Sequence, residues 1–249
     1  MSAWPSGYGR RVLPSVDSTL SEAARVASDL SGPEWILALT QTAARGRRGR
    51  AWSMPEGNFA GTLVLPLDEA PGVAALRSFV MSLALRDAFV AVTGREDAFA
   101  LKWPNDVLLR GGKVAGILLE SIGSGARVTH LAIGIGVNLA AAPDVSEVDE
   151  GAVPPAALKS ALGTVISPED FLDLLATAYA RYEDQFRTYG FAPIRTAWLA
   201  HAARLGEPIK ARTTRDAYIG TFVDVDADGQ LVLETAKGRM TIPAGDVYF

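Results

Sequence analysis

Residues 1–204 alternate between short apolar runs and longer segments with helical spacing. A short apolar run bounded by turn-forming residues is typical of a buried strand, whereas apolar residues three and four apart indicate a helix that packs on one face. Strands are predicted at 12–16, 35–41, 58–65, 98–102, 107–109, 113–121 and 127–139. Helices are predicted at 19–30, 73–92, 168–189 and 192–204, and a surface loop at 140–155. This order predicts an α+β fold in which a mixed or antiparallel sheet is backed by helices.

Two of the predicted helices begin with start signals. Thr19 is followed three residues later by Glu22, which is the spacing of a capping box. Ser167 can cap the helix that follows it, and Pro168 then occupies the first helical position, where its missing N–H does no harm. These signals fix where each helix starts.

The pattern changes after residue 204, where short alternating runs replace the helical spacing. Strands are predicted at 208–212, 218–224, 231–235 and 239–243. Asp226 to Gly229 predicts a turn between two of them. We therefore expect two domains, at 1–204 and 205–249, the second a small β-barrel.

The composition excludes several kinds of chemistry. The chain has 249 residues with no cysteine and two histidines, so disulfides, thiolate metal sites and cysteine nucleophiles are excluded. A net charge of −4 disfavours general nucleic-acid binding. The most apolar window, 73–92, contains Arg77, Arg86 and Asp87 and predicts a buried helix, not a membrane span. No signal-peptide pattern opens the chain, so the expected location is cytoplasmic, with no membrane partner.

Positive charge is concentrated in a short segment, residues 45–50, which we call the arginine loop. It carries four arginines separated by two glycines. Glycine lets a backbone approach a ligand closely, and the arginine fork suits phosphate and carboxylate oxygens. Taken alone, the loop fits an anion-binding lid as well as it fits a solvated basic loop or a nucleic-acid tail.

The motifs that flank the arginine loop favour the anion-binding lid. The motifs are Arg45-Gly-Arg-Arg-Gly-Arg-x-Trp52, Pro55-x-Gly57-Asn58, Lys102-Trp-Pro-Asn-Asp106, Lys113-x-x-Gly116-Ile-Leu-x-Glu120 and Gly134-x-Gly136-x-Asn138. In this order and approximate spacing they closely resemble the biotin protein ligases. The chain departs from the family pattern at Ala44, where the family has glycine, and at Leu20, where the family has asparagine in a Ser-Thr-Asn run.

The resemblance implies a role for each motif residue. The biotin-binding residues would be Ser18, Thr19, Leu20, Gln41, Arg45, Gly46, Arg47, Lys113, Gly116, Gly134 and Gly136. The ATP-binding residues would be Arg48, Arg50, Trp52, Lys102, Asn105 and Asn138. Lys113 and Arg47 would be catalytic, and Asp106 would hold Mg²⁺ on the ATP phosphates. Gly134 and Gly136 are two apart on one predicted strand, so they share a sheet face.

The same resemblance implies a fold and a reaction. The fold would be the class II synthetase-like biotin/lipoate ligase fold with a C-terminal SH3-like β-barrel. The reaction would use ATP to activate biotin as biotinoyl-5′-AMP and transfer it to a lysine of a biotin carboxyl carrier domain. Because the matching part begins at about residue 12, no DNA-binding helix-turn-helix and no repressor role are expected. A homodimer through sheet edges is compatible with the family.

Two alternatives remain. A lipoate-protein ligase shares the catalytic fold but does not usually carry the Arg-Gly-Arg-Arg-Gly-Arg-x-Trp run. A non-catalytic adenylate or nucleic-acid binder could use the basic loop, although the acidic remainder of the chain and the intact Lys113 motif disfavour it. Neither a P-loop motif nor a dinucleotide-binding fingerprint is present, so common nucleotide-binding folds are excluded.

Overall fold

The computed structural model describes residues 4–50, 52–123, 127–144, 153–213 and 216–249. The strands are β1 (Gly9–Leu13), β2 (Glu34–Ala38), β3 (Phe59–Glu69), β4 (Phe99–Lys102), β5 (Asp106–Leu109), β6 (Gly112–Ile122), β7 (Val128–Val137), β8 (Pro208–Arg212), β9 (Ala217–Val225), β10 (Leu231–Thr235), β11 (Gly238–Ile242) and β12 (Asp246–Tyr248). The helices are α1 (Thr19–Val26), α2 (Pro71–Ala75), α3 (Arg77–Thr93), α4 (Leu158–Leu162), α5 (Pro168–Tyr189) and α6 (Phe191–Leu199). The predicted α+β class is confirmed.

A seven-stranded mixed sheet forms the larger part of the fold, in the order β1-β2-β3-β7-β6-β5-β4. Only the β1–β2 pair is parallel, and the other neighbouring pairs are antiparallel. The central strands β3, β7 and β6 are long and apolar, as expected for strands covered on both faces.

The two faces of the central strands are built from residues of different size. On one face large apolar side chains such as Leu63, Ile133 and Ile117 join the main core with α3 and α5. On the other face small residues lie opposite one another: Thr62 faces Gly134, and Gly116 faces Gly136. Helix α1 covers one end of this second face, and the remaining part is open.

A buried ion network ties α3 to α5. The Arg77 guanidinium is almost fully buried and donates to the carboxylates of Glu69 and Glu183, with Nη1 2.6 Å from Glu69 Oε2. Tyr179 Oη donates to Glu183 at 2.9 Å. A buried charge without such partners would strongly destabilise the fold, so Arg77 requires both carboxylates.

The second sheet is antiparallel, in the order β11-β10-β9-β8-β12, and forms the C-terminal SH3-like domain. Its Ile209 and Phe222 belong to the same continuous core as α3. Trp103 Nε1 donates to the carbonyl oxygen of Gly229 at 3.0 Å. Gly229 has a φ of +77° and its missing Cβ would meet Phe79 at 2.9 Å, so only glycine suits this contact. The contact brings β12 beside the open face of the first sheet.

Several element bounds differ from the sequence predictions. The first strand is β1, not 12–16, and α1 ends at Val26 and is followed by a 3₁₀ turn over Ala27–Asp29. The predicted helix at 73–92 is two helices, because Pro71 starts a separate short one, and the helix predicted to reach residue 204 ends at Leu199. Among the described helices, none is both long and apolar enough to span a membrane.

Candidate active site

A cleft of about 670 Å³ opens on the small-residue face of the first sheet. It is bounded by the start of α1, the arginine loop, strands β5 to β7 and the end of the C-terminal domain. The predicted site residues that line it are Ser18, Thr19, Leu20, Gln41, Arg45, Gly46, Arg47, Arg50, Trp52, Lys102, Asn105, Asp106, Lys113, Gly116, Gly134, Gly136 and Asn138. The fold therefore brings together residues that are up to 120 positions apart, as Ser18 and Asn138 show. The remaining predicted residue, Arg48, does not line the cleft. It donates a hydrogen bond to Asp246, which does.

Three glycines, Gly116, Gly134 and Gly136, form what we call the glycine floor of the cleft. A Cβ added to Gly136 would lie 2.5 Å from the Trp52 ring, and one added to Gly116 would lie 3.4 Å from it. Trp52 therefore lies flat against the floor. A Cβ on Gly134 would meet Leu20 at 2.8 Å. Gly134 and Gly136 are required by a close approach and not by a turn, whereas a Cβ on Gly116 would meet the flexible end of Lys113 at 3.2 Å.

Leu20 belongs to the core and contributes apolar packing to the cleft. It is 4% exposed and packs with Ala23, Val64 and Ala132 in a second, smaller core beneath α1. Burying a leucine stabilises a fold by about 1.5–3 kcal/mol. Its departure from the family asparagine thus replaces a polar contact with packing.

A chain of hydroxyl and amide groups lies at one end of the cleft. Thr62 Oγ1 donates to Thr19 Oγ1 at 2.8 Å, and Thr19 Oγ1 donates to Gln41 Oε1 at 3.1 Å. The Thr19 backbone N–H also donates to Gln41 Oε1, at 2.7 Å. Gln41 is held with its amide group at the helix start, and its Nε2 lies 3.6 Å from Met54 Sδ. Sequence analysis did not find Thr62, since a threonine inside an apolar strand gives no signal of its own.

The capping-box prediction for Thr19 and Glu22 is wrong. The N-cap is Ser18, and its side-chain oxygen accepts no capping hydrogen bond from a described backbone N–H. Thr19 is the first helical residue, and its hydroxyl is engaged with Gln41 instead. The backbone N–H of Thr19, at the start of α1, is likewise taken up by Gln41.

A buried cluster of charges lies at the other end. Lys113 Nζ lies 2.7 Å from Asp106 Oδ1, and Lys102 Nζ lies 3.7 Å from Asp106 Oδ2. Burial alone would raise the pKa of the Asp106 carboxyl, but the two ammonium groups outweigh it and hold that pKa below its usual value. Burial is also the main cause that lowers the pKa of Lys102, and Asp106 counteracts it. The cluster carries one net positive charge when all three groups are ionised.

The arrangement around Asp106 does not fit Mg²⁺. Both carboxylate oxygens face lysine ammonium groups, which a divalent cation would have to displace. Within the described part of the chain, no group of three histidine, aspartate or glutamate side chains is placed to hold a metal ion. The geometry supports Asp106 as the counter-ion of the lysines and not as a metal ligand.

The arginine loop is held to the protein at its start and is closed by a bond between Gly46 and Arg50. At the start, Arg45 donates to Glu120 and to the hydroxyl groups of Ser21 and Ser18. Within the loop, Gly46 N–H donates to the carbonyl oxygen of Arg50 at 2.7 Å. These bonds fold the loop over the cleft.

The middle of the arginine loop contacts the C-terminal domain. Arg47 Nη1 lies 3.0 Å from Asp246 Oδ1 and 3.3 Å from Asn105 Oδ1, and its Nη2 donates to the Gly245 carbonyl oxygen at 3.2 Å. Arg48 Nη1 donates to Asp246 Oδ2 at 2.7 Å. Sequence analysis assigned Asp246 no role, although it lies in a short motif, 244–247, that resembles the end of the family's C-terminal domain.

Two asparagines, Asn105 and Asn138, form part of the cleft wall. Asn105 Nδ2 donates to the Ile117 carbonyl oxygen at 2.5 Å, so its amide oxygen is directed at Arg47. Asn138 Nδ2 donates to the Ala156 carbonyl oxygen at 3.1 Å. The Oδ1 of Asn138 is buried, and no described residue donates a hydrogen bond to it. A buried acceptor of this kind suits a ligand that carries an N–H donor.

A mixed sheet with helices and a C-terminal antiparallel domain is the fold that this chain shares with solved biotin protein ligases. The chain belongs to the biotin/lipoate A/B protein ligase family, whose model matches residues 9–138, and the biotin protein ligase C-terminal domain model matches residues 205–249. The resemblance stated from the sequence motifs is confirmed.

Individual relatives agree with this assignment. The chain is 56% identical to a biotin–[acetyl-CoA-carboxylase] ligase of Paracoccus denitrificans, over 96% of this chain and 99% of that one. It is 32% identical to the bifunctional ligase/repressor BirA of Bacillus subtilis, over 95% of this chain and 71% of that one. The fold is similar to that of a biotin protein ligase from Aquifex aeolicus in complex with biotin and ATP, with a TM-score of 0.79, 24% identity and coverage of 96% and 97%.

Proposed function

We propose that this enzyme is an ATP-dependent ligase that joins biotin to a lysine of a biotin carboxyl carrier domain. The observation that carries the proposal is the order of groups along one cleft. Amide and hydroxyl groups at Gln41 and Thr19 lie at one end, the glycine floor lies in the middle, and the Lys113 ammonium lies at the other end. Biotin has the same order: a ureido group, the bicyclic ring system that contains it, and a carboxylate at the end of a side chain.

The ureido end of biotin would lie against α1 and Gln41. A ureido group has two N–H donors and one acceptor, and a glutamine amide can both accept and donate. The ring would lie over β6 and β7 against Trp52 and Leu20, which pack directly on the glycine floor where a Cβ would displace them. Ser18 lies beside this end and is held there by Arg45.

The first chemical step must bring two anions together. An oxygen of the biotin carboxylate attacks the α-phosphorus of ATP, the bond from that phosphorus to the bridging oxygen breaks, and pyrophosphate leaves. Lys113 and Arg47 would neutralise the carboxylate and the developing charge on the phosphate oxygens. Asp106 holds the Lys113 side chain in the cleft, since their charged atoms are 2.7 Å apart.

The second step must protect a reactive mixed anhydride from water. The lysine amine of the acceptor attacks the acyl carbon, the carbon–oxygen bond to AMP breaks, and AMP leaves while the amine loses a proton. Trp52 covers the floor, and the arginine loop crosses the opening. Ordering of this loop over the adenylate would exclude water.

The ATP subsite would lie between the arginine loop and β12. Asn138 Oδ1 offers a buried acceptor for the adenine amino group. Lys102, Arg48 and Arg50 would contact phosphate oxygens from the surrounding walls. Mg²⁺ would enter as part of Mg-ATP, and Asp106 would not be its ligand, because its oxygens already face two lysines.

The names of relatives favour biotin over lipoate. The Paracoccus denitrificans relative is named for acetyl-CoA carboxylase, which supports a carboxylase carrier domain as acceptor. A cytoplasmic location, a homodimer and the absence of specific DNA binding stay predictions from the sequence.

The direct test is covalent biotinylation. The enzyme is incubated with biotin, Mg-ATP and a purified carrier domain, and the carrier is analysed by intact mass spectrometry. We expect a mass increase of one biotinoyl group, and none when the acceptor lysine is replaced by arginine. An unmodified carrier under conditions where a known biotin ligase modifies it would reject the proposal.

A further inference from the structure

We propose that Glu120 is a positioning residue that fixes Arg45 and, through it, the start of the arginine loop. The proposal rests on the proposed biotin ligase function. Arg45 Nε lies 3.1 Å from Glu120 Oε1, and Arg45 Nη2 lies 2.9 Å from Glu120 Oε2. This two-point pairing of a planar guanidinium with a carboxylate restricts orientation as well as distance.

The remaining guanidinium nitrogen of Arg45 is also engaged. Its Nη1 donates to Ser21 Oγ at 2.8 Å and lies 3.3 Å from Ser18 Oγ. All three nitrogens of Arg45 therefore contact protein, through strand β6 on one side and helix α1 on the other. Arg45 joins these two elements at the end of the cleft where the ureido group would bind.

Glu120 is placed to act without touching the substrate. On β6 it is two residues beyond Leu118 and four beyond Gly116, so all three point to the cleft face. Four strand residues span about 13 Å. Among the described residues that line the cleft, Arg45 and Leu118 are present and Glu120 is not. Its influence on the cleft consequently passes through Arg45.

The physical consequence follows from the charge of Arg45. The carboxylate of Glu120 offsets the charge of the guanidinium and holds it at the α1 end, directly before Gly46. Without this carboxylate, Arg45 loses two of its hydrogen bonds, and Ser18 and the loop start lose their fixed position. Biotin binding and retention of the adenylate would weaken, whereas the groups around Lys113 would be unchanged.

The experiment is a double-mutant cycle with Glu120→Gln, Arg45→Gln and the double variant, each measured by biotin-dependent pyrophosphate exchange. We expect Glu120→Gln to raise the KM for biotin at least about fivefold, a common size for coupled neighbours. The kcat should change by less than about twofold, and release of free biotinoyl-AMP should increase. Adding Glu120→Gln to Arg45→Gln should have no further effect on KM.

Glu34→Gln is the matched control, since Glu34 also pairs with an arginine, Arg11, at 2.8 Å but lies outside the cleft. Its KM for biotin should equal that of the wild type. Three results would overturn the inference: an unchanged KM in Glu120→Gln, additive effects in the cycle, or a loss of kcat that follows a lowered melting temperature. If the wild-type enzyme itself shows no biotin-dependent exchange, the proposed function fails instead.

Discussion

The Asp246 carboxylate of the C-terminal domain holds both Arg47 and Arg48 of the arginine loop, at 3.0 Å and 2.7 Å. Arg48 has a φ of +58°, a backbone conformation that is unfavourable for a residue with a side chain. The two ion pairs offset this local strain. The loop is thus tied to a domain that lies some 200 residues further along the chain.

Asp246→Ala should loosen the loop in the free enzyme. Two partly exposed ion pairs contribute together about 1 kcal/mol, which corresponds to an about fivefold larger open population. Tryptic cleavage after Arg47 and Arg48 should therefore accelerate about fivefold. Asp228→Ala, in an exposed turn of the same domain, should leave the cleavage rate unchanged. Equal cleavage of the Asp246 variant and the wild type would show that this contact does not hold the loop.

Gly136→Ala should block the cleft without unfolding the protein. The new Cβ would come within 2.5–2.8 Å of three atoms of the Trp52 ring, which would have to leave the floor. Overpacking of this kind costs about 1–3 kcal/mol, so kcat/KM for biotin should fall at least about fivefold. Gly72→Ala is the control, because no atom lies near its Cβ position and it lies in a helix. Normal activity of Gly136→Ala would show that the close packing of Trp52 on this floor is not needed for biotin binding.

Lys113→Ala should reduce adenylate formation far more than ATP binding. The ammonium is needed where charge develops in the transition state, and loss of one such group raises the barrier by about 2.7–4 kcal/mol. Single-turnover formation of biotinoyl-AMP should slow by roughly 100- to 1,000-fold. Lys210→Ala, an exposed lysine on β8, should behave as wild type. An unchanged rate in a folded Lys113 variant would show that this residue only pairs with Asp106 and has no role in adenylate formation.

Ligands should protect the arginine loop from trypsin. Phosphate and carboxylate oxygens would give its arginines further partners, so bound ligand favours the ordered loop. A non-hydrolysable biotinoyl-adenylate analogue should slow cleavage within residues 45–50 more than biotin or ATP alone. Cleavage after Arg95, which is exposed outside the cleft, should not change. Equal cleavage of the loop with and without saturating analogue would rule out a lid.

Features carried by local pattern could be predicted from the sequence. Alternating runs located the long central strands, and the two-residue spacing of Gly134 and Gly136 gave their common face correctly. The motifs also identified a set of residues that the fold collects in one cleft. Local signals succeed here because periodicity and glycine placement are properties of one strand at a time.

Features that depend on distant pairing could not be predicted. Asp246 gives no sequence signal for its contact with Arg47, because the two are brought together only by domain packing. The family resemblance implied that Asp106 is a metal ligand. In the structure the β5–β6 hairpin instead places Lys113 against the Asp106 carboxylate. Thr19 fitted a capping box, but the Thr62 hydroxyl on β3 and the Gln41 amide take up its side chain.

The substrate assignment is tested most directly by exchange of labelled pyrophosphate into ATP with the wild-type enzyme, because this reaction reports acyl-adenylate formation without any acceptor protein. Parallel reactions contain biotin, lipoate, octanoate or no acid, each with Mg-ATP. We expect exchange that depends on biotin, with lipoate and octanoate close to the reaction without acid. Equal or greater exchange with lipoate or octanoate would contradict the biotin ligase assignment.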